Sequence, residues 1–276
     1  MIQLSRPALS VNATQALNQY QAAVDDQPDF PARVIFAKDD FPRKNVIGNA
    51  TFDEVKQKLV QMCSGAERCH YCEDSKADEV EHLLPKDVYP DRCYQWANYY
   101  YSCGNCNGPK NNKCAVIDVA TNTLIDTTPV KNKRNAPALT HPQPPPPGAI
   151  AIIDLAVENP LDYLFLDLNR SFDFAELPDS NTVEYLKAKH TLELLRLNKR
   201  PFLSKARANA FENFKARLRI YISDKNAGIP QNQLDQIVAG IKEEAHQTVW
   251  QEMKRQRDFI PELRVLFNQA PEALNW

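Results

Sequence analysis

Four cysteines stand in two close pairs, Cys69-x-x-Cys72 and Cys103-x-x-Cys106, in a chain of 276 residues. A Cys-x-x-Cys pair folds a tight turn that presents two sulfurs to one ion, and two such knuckles suit a tetrahedral tetrathiolate zinc site. Four thiolates leave no open coordination position. The expected zinc is therefore structural, and it pins Cys69 beside Cys103. Any chemistry then belongs to the residues that the knuckles frame. These are the stretch Val80-Glu81-His82-Leu83-Leu84-Pro85, then Asn98, then Asn107 directly after the last cysteine, then Lys110. Cys63, Cys93 and Cys114 lack this spacing and read as ordinary buried or half-buried thiols. His70, inside the first knuckle, would make a fifth ligand and is expected to serve at the surface instead.

Carboxylate-His-x-x-Pro, then Asn, then Cys-x-x-Cys-Asn-x-x-Lys resembles the motif of the HNH endonuclease family in its zinc-stapled form. The resemblance implies a ββα-metal core, in which a two-stranded hairpin and a helix clasp one catalytic divalent cation. It also implies roles. His82 is the general base that takes a proton from the attacking water, a task that suits an imidazole because it titrates near neutral pH. Glu81 and Asn107 are the ligands of the catalytic Mg²⁺ or Mn²⁺, a hard ion that keeps much of its hydration. Asn98 fixes the loop, and through it the histidine. Lys110, near the start of the helix, helps to hold phosphate, with a surface salt bridge as an equal alternative. Two positions depart from the commonest pattern: Glu81 stands where many relatives carry Asp, and Asn107 where many carry His. Asp78 and Glu79 lie near enough to supply the carboxylate in place of Glu81. Neighbouring strand residues face opposite ways, so Glu81 and His82 need a local twist or bulge to serve one site.

Three further segments, "ENPLDYLFLD", "LLRLNKRPFLSKAR" and "HQTVWQEMKRQRDFIPELRVLF", resemble the helical part of HNH proteins from Septu-type and retron-associated antiphage defence systems. What this implies is an effector subunit working with an ABC-type ATPase, and in the retron case with an assembly of reverse transcriptase and its noncoding DNA.

The elements that must position these residues can be read from periodicity. "NATFDEVKQKLVQMCSG" predicts a helix with a Thr51–Glu54 capping box, an apolar stripe of Val55, Leu59 and Met62, and a stop at Gly65. After the cysteine window, "AVIDVATNTLIDTTPV" alternates as a strand or hairpin. A basic stretch follows, and then four consecutive prolines from Pro144, which favour extended polyproline II and mark a boundary or a rigid arm. From Ala149 the pattern is mainly helical. Asn181 and Glu184 open a helix with Val183, Leu186, His190, Leu194 and Leu197 on one face. The next helix turns Leu203, Ala206, Ala210, Phe214, Leu218 and Tyr221 inward and Lys205, Arg207, Lys215, Arg217 and Arg219 outward. The tail adds one or two more. The aromatic run Tyr94, Trp96, Tyr99, Tyr100 and Tyr101 is expected to build the small core around the metals. The predicted architecture is a mainly helical α+β fold: residues 1–135 with the HNH core at about 64–118, a linker at 136–148, and a helical, partner-binding domain at 149–276.

The totals limit the function classes. Net charge is −2, so the chain lacks the basic surplus of a protein that grips nucleic acid unaided. No G-x-x-x-x-G-K-[ST] loop and no G-x-S-x-G elbow occur, which argues against ATP hydrolysis and serine hydrolase chemistry. No apolar stretch reads as a signal core or a membrane span, and a cytoplasmic setting is expected, where paired cysteines bind metal. The leading expectation is a metal-dependent endonuclease with DNA as favoured substrate. The same site acting on RNA such as transfer RNA, or a non-catalytic zinc-knuckle module that binds nucleic acid or protein, are the alternatives.

Overall fold

A computed structural model of the chain describes residues 1–129 and 143–276. Residues 130–142, which hold the basic stretch and the first part of the expected linker, lie outside the described residues. The fold is α+β with about 51% helix and small sheets.

Two helices that periodicity did not single out come first, α1 (Val11–Asp25) and α2 (Phe30–Lys44). Each starts at a side-chain cap: Ser10 accepts from the Ala13 amide and Asp29 from the Ala32 amide. The predicted third helix is α3 (Ala50–Gln61), but its cap is Asn49, not the Thr51–Glu54 box. Asn49 Oδ1 accepts from the Thr51 and Phe52 amides, while Glu54 leaves its own helix and accepts from Ser10 N at 2.6 Å and Oγ at 2.7 Å. The Glu54 side chain thus takes a tertiary partner, and the helix start is capped by its own neighbour Asn49. Gly65 then turns the chain with φ at +70°, and a Cβ there would meet the Glu243 carbonyl oxygen at 2.1 Å.

A hairpin and a short helix follow. Strands β1 (Glu79–His82) and β2 (Tyr99–Ser102) pair antiparallel, and α4 (Gly104–Lys110) begins two residues later. Next, β3 (Ala115–Asp118) and β4 (Thr123–Asp126) form the expected second hairpin, and β5 (Ala149–Ile150) joins the free edge of β3. A third small pair, β6 (Leu164–Leu166) and β7 (Phe174–Glu176), interrupts a region predicted as mainly helical.

The helices α5 (Val183–Leu195), α6 (Pro201–Asn226), α7 (Gln231–Lys242), α8 (Gln247–Gln256) and α9 (Pro261–Gln269) complete the chain. The tail thus holds three helices, more than the one or two expected. Thr182, not Asn181, caps α5, accepting from the Tyr185 amide. Its buried stripe is Ala188, Thr191, Leu192, Leu194 and Leu195, rotated from the predicted face. On α6 the inward set is buried except for half-buried Ala206, and Arg207 and Lys215 are buried where they were expected outside. Arg207 donates to the carbonyls of Phe172 and Leu197, and Lys215 pairs with Glu212 and Glu262. A charge with enough partners can be buried, and periodicity alone does not see the partners. Trp250 is the largest fully buried side chain, stacked among Phe214, Phe267 and Trp276.

Candidate active site and metal centre

The two knuckles meet. Cys69, Cys72, Cys103 and Cys106 are buried, and their sulfurs lie within 4.8 Å of one another. Cys72 Sγ and Cys103 Sγ are 3.8 Å apart, close to the edge of about 3.8 Å that a tetrahedron with Zn–S bonds of about 2.3 Å requires. The thiols of Cys106, Cys69 and Cys72, in that order, hold the Cys103 pKa far below the usual thiol range. Such a cluster can hold one metal ion, and its all-sulfur, closed donor set fits structural zinc. Arg200, from the turn into α6, donates from Nη2 to Cys106 Sγ at 3.3 Å and so offsets negative charge gathered on the sulfurs.

His70 is not at the surface: it is buried, with Nε2 3.1 Å from the Leu59 carbonyl and Nδ1 accepting from the Tyr101 amide. Burial first of all brings its pKa down to about 4, which keeps the ring neutral. It fastens the first knuckle to α3 and β2.

The hairpin register is one to one, with Glu79 opposite Ser102, Val80 opposite Tyr101, Glu81 opposite Tyr100 and His82 opposite Tyr99. No bulge interrupts this register. Glu81 and His82 nevertheless line one cleft of about 120 Å³, together with Asn107, Lys86, Asp87 and Asn112. The His82 ring packs against Phe41 of α2 at 4.5 Å and Tyr99 at 5.3 Å between centroids. Its Nε2 lies 2.9 Å from the Cys93 carbonyl. A carbonyl can only accept, so Nε2 carries the proton and Nδ1 keeps the lone pair. Burial, then the charges of Lys86 and Lys110, hold its pKa well below the usual histidine value. His82 is neutral at pH 7.

The carboxylate beside it is differently placed. Glu81 is buried, pairs with Lys110 Nζ, and accepts from Tyr71 Oη at 2.5 Å. Burial pushes its pKa up, against the opposing pull of Lys110. Lys110 sits at the last position of α4, not near its start, and has no exposed surface. It also donates to the His82 carbonyl at 2.6 Å. An ammonium enclosed in this way has no face to offer a phosphate.

Asn107 donates from Nδ2 to Glu79 Oε2 at 2.6 Å, which leaves its Oδ1 free as an oxygen donor. Glu79 is thereby engaged as an anchor. Asn98 is buried and ties the loop after β1 at three points: Oδ1 accepts from the Leu84 amide at 2.7 Å, and Nδ2 donates to the carbonyls of Leu84 and Arg92, each at 2.9 Å. Since Arg92 precedes Cys93, these bonds also place the carbonyl that orients His82. Of the aromatic run, Tyr94, Tyr99, Tyr100 and Tyr101 are buried around the unit, whereas Trp96 is half-buried. The cation at Lys86 was not singled out from sequence, because Lys86 lies outside the spacing that marks the motif.

No protein-family profile matches the chain, and no solved structure matches it. Over 85 residues it is 36% identical to the Septu protein PtuB of Bacillus thuringiensis. The match takes in 29% of this chain and 33% of that protein, so the chain spans about a third of the length of the curated relative it resembles.

Proposed function

We propose that the chain is a metal-dependent endonuclease of the HNH type, hydrolysing phosphodiester bonds of nucleic acid with DNA as the favoured substrate. One observation carries the reading. Glu81, His82 and Asn107 line a single cleft on a strand–strand–helix unit, beside four buried cysteines.

In this reading neutral His82 takes a proton on Nδ1 from a water whose oxygen bonds to phosphorus. The bond from phosphorus to the 3′ oxygen breaks, and the leaving oxygen acquires its proton from solvent. Glu81 and Asn107 Oδ1 are the donors that would hold Mg²⁺ or Mn²⁺, an ion that supplies polarisation of the phosphate and stabilises the leaving oxygen. Asn98 keeps the base aimed. The zinc-fitted cysteines hold β1, β2 and α4 in place without touching substrate. Residues that act on the phosphodiester carry no base readout, so RNA such as transfer RNA is the alternative substrate of the same site.

The similarity to a Septu protein supports a place in antiphage defence. The proposed partners are an ABC-type ATPase and, in a retron setting, a reverse transcriptase and its noncoding DNA. A net charge of −2 agrees with a partner contributing to the grip on nucleic acid. Residues 149–276 are the proposed partner-binding part. No helix among the described residues is long and apolar enough to cross a membrane, and a cytoplasmic site of action is part of the proposal.

The Lys110–Glu81 pair favours a second reading, because a carboxylate already matched by an ammonium has less to offer a cation. On that view the unit is a non-catalytic zinc knuckle that binds nucleic acid or protein. Metal titration separates the two: the nuclease takes up a weaker Mg²⁺ or Mn²⁺ beyond one tight zinc, and the binding module takes zinc alone. The direct test is cleavage of DNA and RNA pools in Mg²⁺, with and without a co-purifying ATPase. His82→Ala, and His82→Gln in case the smaller residue loosens the packing on Phe41, are expected to lose cleavage while keeping zinc and circular dichroism. Cutting at the parent's rate by a folded variant removes His82 as the base.

A further inference from the structure

Resting on the nuclease reading, we propose that Lys86 is the cation that binds the scissile phosphate in the cleft. Lys110, the residue the motif points to for that role, is enclosed and committed to Glu81 and the His82 carbonyl. Lys38, the other ammonium close by, is paired with Asp87 at 3.1 Å. Lys86 lines the cleft beside Glu81 and His82, is half-buried, and makes no ion pair among the described residues. It follows Pro85, whose ring fixes its backbone angle and stiffens the loop that carries the lysine. Its Nζ stands 5.3 Å from the centre of the Phe41 ring, the same ring that packs against His82. That aromatic face steadies the ammonium without neutralising it. The charge is therefore held in the lining of the cleft, near the Glu81 carboxylate but in no ion pair among the described residues.

The ligand chemistry follows. An ammonium with three donors suits the non-bridging oxygens of a phosphodiester, and a point charge there serves DNA and RNA alike. With His82 on the water, Lys86 provides the protein's own positive charge to the transferring group. It breaks no bond. It holds the phosphate and matches the charge that gathers on its oxygens.

The experiment measures binding and cleavage separately, on the full chain with its zinc. Affinity for fluorescently labelled duplex DNA, with labelled transfer RNA as a parallel arm, is followed across a salt series without added Mg²⁺ or Mn²⁺. For Lys86→Gln the slope of log affinity against log salt is expected to flatten by about 0.9 on duplex, the increment of one phosphate contact, while Lys86→Arg keeps the parent slope. In Mg²⁺, Lys86→Gln is expected to lower kcat/KM at least tenfold, and Lys86→Arg to restore most of it. An unchanged slope in Lys86→Gln, from a parent that binds and cuts, overturns the assignment of Lys86 and leaves the nuclease reading intact. If the parent neither binds nor cuts either pool with its partner present, the nuclease reading and this assignment fall together.

Discussion

At Glu81 one carboxylate is asked to serve two cations. Lys110 neutralises it in a fully buried pair, and the nuclease reading needs the same oxygens to face a metal. Removing one partner of a buried pair leaves the other charge uncompensated, which typically costs about 3–5 kcal/mol. Lys110→Met is therefore expected to lower the urea midpoint by a corresponding amount, and the double variant Glu81→Gln with Lys110→Met to recover much of it. A single variant as stable as the parent contradicts the pairing. Asn98 makes a second residue-scale case. Asn98→Ala strands the Leu84 amide and two carbonyls, each at about 1–3 kcal/mol if buried. Its cleavage rate should fall further than its stability explains, because the loop that carries the Cys93 carbonyl loosens. Equal losses in rate and in folded fraction would limit Asn98 to a structural role. These side chains were legible by type and order, yet their pairings were not. That Lys110 is enclosed against Glu81 while Lys86 is half-buried in the cleft lining depends on which way each side chain leaves the backbone.

At the scale of elements, the cysteine cluster adds to a core that two four-residue strands and a seven-residue helix cannot build alone. Binding energy at such a site is folding energy, on the order of 10–16 kcal/mol in small zinc peptides. Cys103→Ser, or a strong chelator, is expected to release one zinc per chain and to expose the stretch from Cys69 to Lys110 to protease. Protection unchanged after zinc loss argues against the staple. A second element-scale prediction concerns the joint of α5 with the segment before β6. Glu158 accepts from Lys187 Nζ and Tyr163 Oη, both at 2.6 Å, and from the Asp154 amide at 2.8 Å. Burial pushes its pKa up, but those three donors together bring it below the ordinary carboxylate value. A carboxylate whose pKa is lower folded than unfolded stabilises above the unfolded value and loses that contribution as pH falls through the folded one. The gap in urea midpoint between the parent and Glu158→Gln is thus expected to be largest near pH 7 and to close below about pH 4.5. A gap that does not change with pH counts against the ion pair.

Across the whole molecule, one apolar cluster takes in residues of α1–α3, the hairpin and α5–α9 alike. The cleft is walled by Phe41 of α2, so the shape of the candidate site depends on a helix that the motif does not contain. Trp250 lies in the same cluster, packed on Phe214, Phe267 and Trp276. Trp250→Ala is expected to cost about 3–5 kcal/mol, read as a lower urea midpoint, since a ring of that size leaves a cavity its neighbours cannot fill. A midpoint within error of the parent would show that the helices around it repack freely.

By itself the sequence determined the metal cluster, the order of the candidate catalytic residues and most helix bodies, because those depend on covalent spacing and on the period of the backbone. Tertiary structure alone decided the rest. It buried His70, Arg207 and Lys215 against partners supplied from elsewhere in the fold, moved the caps of α3 and α5 to the neighbouring Asn49 and Thr182, and enclosed Lys110 while leaving Lys86 half-buried in the cleft lining. A polar group's place follows from the partner it finds.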